Sequence, residues 1–455
     1  MKLEAILAGT VYSRKMTRNS TTAWALRILP GLLLLALATP GQAQFTFATN
    51  NGVLTITEYS GSGGAVTIPD RTNDLPITSI GDWAFEGTSS LDSLTMGGNI
   101  TNIGTGSFAF CMGLTNITIG SSVASIGGFA FEDCYSLASV TIPPSVTSIS
   151  TNTFAWCITL ATITIPGNVS RIPTDAFLYS YGLTNVTICE GVSSIDDWAF
   201  YYCTNLVGVT IPGSVTNIGT SAFYDCYNLA GVTIPGNIRS IGSEAFAACP
   251  SLSAITVDPQ NSFYASVDGV LFDKCQTTLV EYPSSKAGSE YTVPDSVTSI
   301  REGAFGMCTS LTSVTVPAGV TNVGDAAFTL CRGLTGVYFE GNAPSLGLNV
   351  FYNDTNLTVY YLPGAANWGT TFGGCPTVPW NPQIQTGDAT FGARADGFGF
   401  KIGGSTNLVV VVEACTNLSN PIWSAVSTNA LTNGASYFID SQWTNYPQRF
   451  YRLGH

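Results

Sequence analysis

The sequence predicts a repeat solenoid, mainly β with short helical turns, followed by a small all-β sandwich. Three observations predict it. A phenylalanine recurs every 23 residues at Phe85, Phe108, Phe131, Phe154, Phe177, Phe200, Phe223 and Phe246, then again at Phe305, Phe328 and Phe351. A leucine follows each of them six residues later, from Leu91 to Leu357. Between these marks lie short runs in which apolar and polar residues alternate. A fixed period in this range marks a stack of coils, each burying its apolar face only against its neighbours.

The unit from Leu137 to Leu160 shows how one coil is built. Val140 and Ile142 flank Thr141, the pattern of a strand with one buried face. Pro143 ends that strand because it has no N–H for the ladder. Val146 and Ile149 suggest a second short extended piece. Phe154, Cys157 and Leu160 are three apart, the spacing of one helical or 3₁₀ turn. Gly104, Gly127, Gly219, Gly242 and Gly324 follow the second extended piece and are expected to relax the bend there.

The string from Ile218-Gly219 through Ala222-Phe223, Cys226 and Leu229 to Val232-Thr233-Ile234-Pro235 resembles the leucine-rich repeat of the BspA type. The resemblance extends over about residues 80–363, with an insertion at about 253–299. It implies a leucine-rich-repeat solenoid in a family of secreted and surface proteins, and suggests extracellular recognition or adhesion. Insertions of this kind also occur within such arrays. No ligand comes with the resemblance.

Either side of the array the pattern changes. Residues 1–43 read as a secretory signal: Arg14, Lys15, Arg18 and Arg27 precede the apolar run Ile28 to Ala38, and Gly41-Gln42-Ala43 supplies small residues for cleavage. That run is too short to span a membrane, and no later segment approaches about 18 consecutive apolar residues. Residues 44–79 carry short apolar runs separated by Asn51-Gly52 and Gly61 to Gly64, the expectation for a β cap over an open coil edge. In the insertion, Asp268-Gly269 between apolar pieces signals a hairpin. Residues 364–384 form a linker or C-terminal cap, and residues 385–455 lose the period and read as the small sandwich, with strands near Phe398, Val411, Phe438 and Phe450.

Composition removes whole classes of function. The chain has 455 residues, 45% hydrophobic and 10% charged, with a net charge of −13. Cleavage after Ala43 would remove five cations and one anion, leaving about −17. Such a chain lacks the basic footprint of nucleic-acid binders. The single histidine is His455, so a Ser-His-Asp triad and His-ligated zinc have no residues to use. No cofactor or metal is expected. Asp196-Asp197 is the neatest carboxylate pair, and it reads as a solvated turn.

Eight of the 12 cysteines stand three residues after a repeat phenylalanine: Cys111, Cys134, Cys157, Cys203, Cys226, Cys249, Cys308 and Cys331. They are expected to be buried free thiols, because Thr88, Ser180 and Asp354 share the position and parallel Cβ vectors suit a disulfide poorly. Trp83 and Trp198 are expected to pack at the helical corner. Trp380, Trp423 and Trp443 read as core aromatics of the sandwich, with sugar stacking as the other reading.

The candidate binding face is a threonine column: Thr95, Thr118, Thr141, Thr164, Thr187, Thr210, Thr233, Thr256 and Thr315. Thr118, Thr141, Thr164, Thr187, Thr210 and Thr233 are its central members. The plainer reading is that β-branched threonine suits an exposed sheet; an ice-binding array is a third. Taken together, these residues describe a secreted, non-enzymatic recognition or adhesion scaffold for an extracellular protein or glycan. The alternatives are a secreted carbohydrate-active enzyme and a purely structural surface component.

Overall fold

The computed structural model describes residues 44–454 except 363, 381, 388–389, 405–408 and 433. The expected signal segment and His455 lie outside the described residues. The chain winds through about 13 turns of a β-solenoid. The first strand of successive coils forms one parallel seven-stranded sheet, from Gly64–Thr67 through Leu91–Thr95, Asn116–Thr118, Ser139–Thr141, Thr162–Ile165 and Asn185–Ile188 to Gly208–Thr210. The register advances by one repeat per strand, so Asn116 faces Ser139 and Thr162 faces Asn185. Two-residue strands such as Ser125–Ile126 and Ser148–Ile149 build a second parallel ladder on another side of the coil.

The repeat phenylalanines stand in a column with ring centroids 4.7–5.5 Å apart. Phe177, Phe200 and Phe223 stack with nearly parallel ring planes, neighbouring centroids 5.2 Å apart. Each is fully buried, as are the leucines that follow. A ring of this size contributes on the order of 1.5–3 kcal/mol on burial.

The corner that carries the phenylalanine is a chain of β-turns rather than a helix; the one helix among the described residues is the 3₁₀ turn Trp443–Asn445. N–H groups alternate in destination. Ala109, Cys111 and their counterparts donate three residues back, while Gly106, Phe108 and Phe110 donate to Gly128, Ala130 and Glu132 of the next coil. A helix would keep all these donors to itself and could not stitch coils together. The arrangement needs positive φ two residues before and two after every repeat phenylalanine. All 22 such positions lie between 50° and 69°, although residues such as Trp198, Tyr202 and Leu330 occupy them. Left-handed backbone costs about 1–2 kcal/mol for a residue with a Cβ, and the inter-coil ladder offsets it.

The corner glycines serve close approach rather than unusual φ. A Cβ on Gly219 would stand 2.4 Å from the backbone of Asp196 and Asp197 in the preceding coil, and one on Gly242 would stand 2.2 Å from Thr220 N. These glycines let one coil's backbone rest on the next.

The column thiols are free and buried. Each donates to the carbonyl 26 residues earlier, as Cys134 Sγ does to Phe108 O at 3.3 Å and Cys226 Sγ to Phe200 O at 3.3 Å; the acceptor is a phenylalanine except at Cys308, where it is Tyr282. Ser180 Oγ makes the same bond to Phe154 O at 2.8 Å, which explains how serine substitutes in the file. Burial pushes the Cys111 thiol up to about 12.

The solenoid also contains a coil that the phenylalanine spacing hides. Tyr282 stands 23 residues before Phe305, stacks on it at 5.1 Å and donates its N–H to Ala304 O. What interrupts the array is therefore narrower than the span 253–299: an antiparallel hairpin, Tyr264–Val267 with Val270–Asp273, turning at Asp268-Gly269 with φ of 50° and 82°. The core divides there, Leu271 packing with the coils before and Phe272 with those after.

Hairpins stand at both ends of the array. Phe45–Asn50 pairs antiparallel with Val53–Tyr59, placing Tyr59 on Phe85 at 4.8 Å. Thr371–Phe372 pairs with Cys375–Pro379, and Trp368 packs between Phe339, Tyr361 and Phe372. Two antiparallel sheets follow, one built on Gly397–Gly403 and Ala435–Asp440, the other on Val409–Cys415, Ser424–Ala430 and Phe450–Gly454. Phe400, Ile402, Val410, Val412 and Phe438 form their core, which Trp380 joins.

Candidate functional site

The first candidate face is the threonine sheet. Strand alternation turns Ile117, Val140, Ile163 and Val186 inward and leaves Thr118, Thr141, Thr164, Thr187, Thr210 and Thr233 exposed. Thr164, Thr187 and Thr210 are directly opposite one another. A second file, Asn116, Ser139, Thr162 and Asn185, runs beside them and is also exposed. Neither file contains a charge between Ser93 and Thr210. Thr233 and Thr256 share a hydroxyl hydrogen bond of 2.9 Å.

The column does not stay open to its end. Thr315 is buried. One coil later Tyr338 stacks on Tyr360 at 4.7 Å and meets Trp380 edge-on at 5.6 Å, so the C-terminal module covers the sheet there. Trp380, Trp423 and Trp443 do not form one set: Trp380 is buried, Trp423 lies under the Arg452 guanidinium and Trp443 packs beside Phe398.

The second face is one that reading the phenylalanine column leaves unseen. Trp83 and Trp198 are 44% and 42% exposed, not packed as expected. Next to Trp198 runs an aromatic belt across coils: Trp156 to Tyr179 at 4.3 Å, Tyr179 to Tyr202 at 5.0 Å, Tyr201 to Tyr224 at 5.1 Å, with Tyr181 edge-on to Trp156. The signal for it was available as a column of aromatic residues one, two and four places after the repeat phenylalanine.

Carboxylates accompany the belt. Asp196 is bound by Arg171 Nε at 2.7 Å, and Asp197 accepts the Thr220 N–H at 2.7 Å, so this pair fastens coils rather than facing a cleft. Asp82 and Asp325 fasten theirs in the same way. Burial raises Asp225 to about 6, and burial with the nearby Asp197 charge raises Asp175 to about 6. Burial, then Glu302, raises Glu244 to about 7; burial raises Asp354, in the cysteine column, to about 7. Glu281 is raised by burial and by Glu244. No group of three or more metal-ligating side chains occurs among the described residues.

These shifts set the sign of a pH dependence. A carboxyl whose folded pKa is raised holds more protons folded than unfolded, so its contribution is fully present below about pH 4 and is lost as pH rises toward about 7. The melting temperature should therefore be higher at about pH 5 than at about pH 7.5. Glu244→Gln and Asp354→Asn should raise it at the higher pH and flatten the profile; thermal melts at both values check this.

The family model for the BspA type leucine rich repeat region matches in six copies over residues 65–184, 171–290 and 284–372. Among solved structures, a leucine rich cell surface protein from Faecalibacterium prausnitzii A2-165 is 26% identical with a TM-score of 0.55, covering 74% of this chain and 93% of that one. A leucine-rich repeat protein from Bacteroides ovatus ATCC 8483 is 22% identical with a TM-score of 0.46, covering 74% and 98%. No curated protein sequence matches the chain.

Proposed function

Because the chain belongs to the BspA-type leucine-rich-repeat family, we propose that it is a secreted or cell-surface, non-enzymatic recognition scaffold that binds an extracellular protein or glycan through its solenoid. The observation that carries this reading is the open, uncharged, in-register threonine sheet from Thr95 to Thr210. A face of this kind offers regularly spaced hydroxyls and side-chain amides to a partner without the desolvation cost of charge. The signal-like first 43 residues and the cell-surface relative support an extracellular setting. The hairpins at both ends of the array speak for a closed stack rather than end-to-end assembly.

The test is the triple variant Thr164→Lys, Thr187→Lys and Thr210→Lys. Three lysines about 5 Å apart repel one another and a closely fitted partner, yet displace no core side chain. Binding to glycan and protein arrays should fall by about tenfold or more with the melt little changed. Unchanged binding with an unchanged melt removes this sheet as the site.

A further inference from the structure

The six corner segments 127–135, 150–158, 173–181, 196–204, 219–227 and 242–250 share one side of the solenoid. Beyond the core phenylalanines they hold ten aromatic residues: Phe129, Tyr135, Trp156, Tyr179, Tyr181, Trp198, Tyr201, Tyr202, Tyr224 and Tyr227. They also hold seven carboxylates and no lysine, arginine or histidine, though Asp196 is already paired with Arg171 from just outside the segments and Asp197 with the Thr220 N–H. Asp225 is the telling member. It is 3% exposed and its Oδ1 meets no hydrogen-bond donor, while the other side of the carboxyl receives the Tyr202 hydroxyl. It follows Tyr224 in the chain and its N–H donates to Ala247 O at 3.2 Å, so it sits within the corner turns that carry the belt. A buried carboxylate oxygen without a donor is costly, and the charge it keeps adds to the negative potential over the exposed rings, which favours a cation there.

We infer that this belt docks a lysine- or arginine-rich polypeptide segment, whose aliphatic stems lie on the aromatic rings and whose charged heads meet the carboxylates. Long cationic side chains bury their stems on apolar surface while keeping their heads with polar partners, and complementary charge steers and orients such an encounter. A neutral glycan would leave the carboxylates unanswered. Six coils at about 4.8 Å span roughly 24 Å, and an extended segment of about seven residues has that length, with side chains on one face about 6.8 Å apart. Three or four alternating cations therefore match the belt.

The experiment titrates the chain lacking residues 1–43 with a labelled eight-residue alternating Lys-Ser peptide, following fluorescence anisotropy at low and physiological salt. Saturable binding is expected, weakening as salt rises. The belt variant Asp133→Asn, Asp175→Asn, Glu244→Gln should lose about tenfold or more in affinity. A control with the same charge change on exposed residues elsewhere, Asp92→Asn, Glu290→Gln, Asp295→Asn, should lose about twofold or less. The double variant Trp156→Ala, Tyr181→Ala should also weaken binding with the melt retained. Equal loss in the belt and control variants would reduce the effect to net charge and overturn the inference. So would an absence of saturable binding, or a neutral glycan held by the belt in place of the peptide. None of these variants touches Thr164, Thr187 or Thr210, so the belt stands or falls apart from the threonine sheet.

Discussion

Phe200→Ala should lower stability by roughly 3–5 kcal/mol, the range for emptying a well-packed aromatic site. Phe200 is fully buried between Phe177 and Phe223, each 5.2 Å away. Neither neighbour can move into the void, because the inter-coil ladder fixes its backbone: Phe177 N–H donates to Ala199 O, beside Phe200, and Phe223 N–H to Ala245 O of the coil beyond, both at 2.8 Å. The loss therefore falls on both sides of one coil in an array that depends on neighbour contacts. Thr210→Ala, ten residues on and exposed, should stay within about 0.5 kcal/mol of the parent. Urea titrations of the three proteins give the comparison, and equal midpoints would show that the phenylalanine column is not the core.

The second large effect concerns backbone rather than packing. Trp198 has φ of 55°, and its N–H donates to Thr220 O at 3.0 Å. Trp198→Pro removes that donor and demands φ near −65°, so it should cost about 3 kcal/mol or more. Trp198→Gly deletes the whole indole, yet should change stability by about 1 kcal/mol or less, because relief of left-handed strain offsets the lost contact of a half-exposed ring. If the two variants melted alike, side-chain contacts and not the inter-coil ladder would be holding this corner.

How far the fold was legible follows from what a period records. Phe200, Leu206 and Val209 occupy positions that each coil fills with an apolar side chain, and Cys203 one that most coils fill with a thiol, so their spacing revealed the solenoid, its core and the free-thiol file. Tyr282 is invisible to the phenylalanine spacing because a different residue type fills the position. The physics needs a buried aromatic ring there, and tyrosine meets it. The glycines of the corner were recognised as special for the wrong reason: Gly219 and Gly242 have ordinary φ, and what they permit is contact between coils that no single repeat displays.

The candidate sites divide along the same line. Alternation within a strand is local, so the exposed threonines from Thr118 to Thr233 could be read directly. Thr315 and Tyr338 carry the same local pattern, and only the docking of the C-terminal module covers them. The aromatic belt lies at the other extreme. Trp156, Tyr179, Tyr202 and Tyr224 are 22 or 23 residues apart in sequence, so the period files them together, but whether their rings turn outward and touch depends on the left-handed corners.

By itself, then, the sequence determined the period, the core and the outward threonines, because each follows from the alternation and spacing of residues within one coil. Tertiary structure alone decided the left-handed corners, the covering of Tyr338 and the outward exposure and mutual contact of the aromatic rings on the turn face. Those depend on hydrogen bonds and contacts between coils, where each residue's position is set by what the next turn of the chain presents to it.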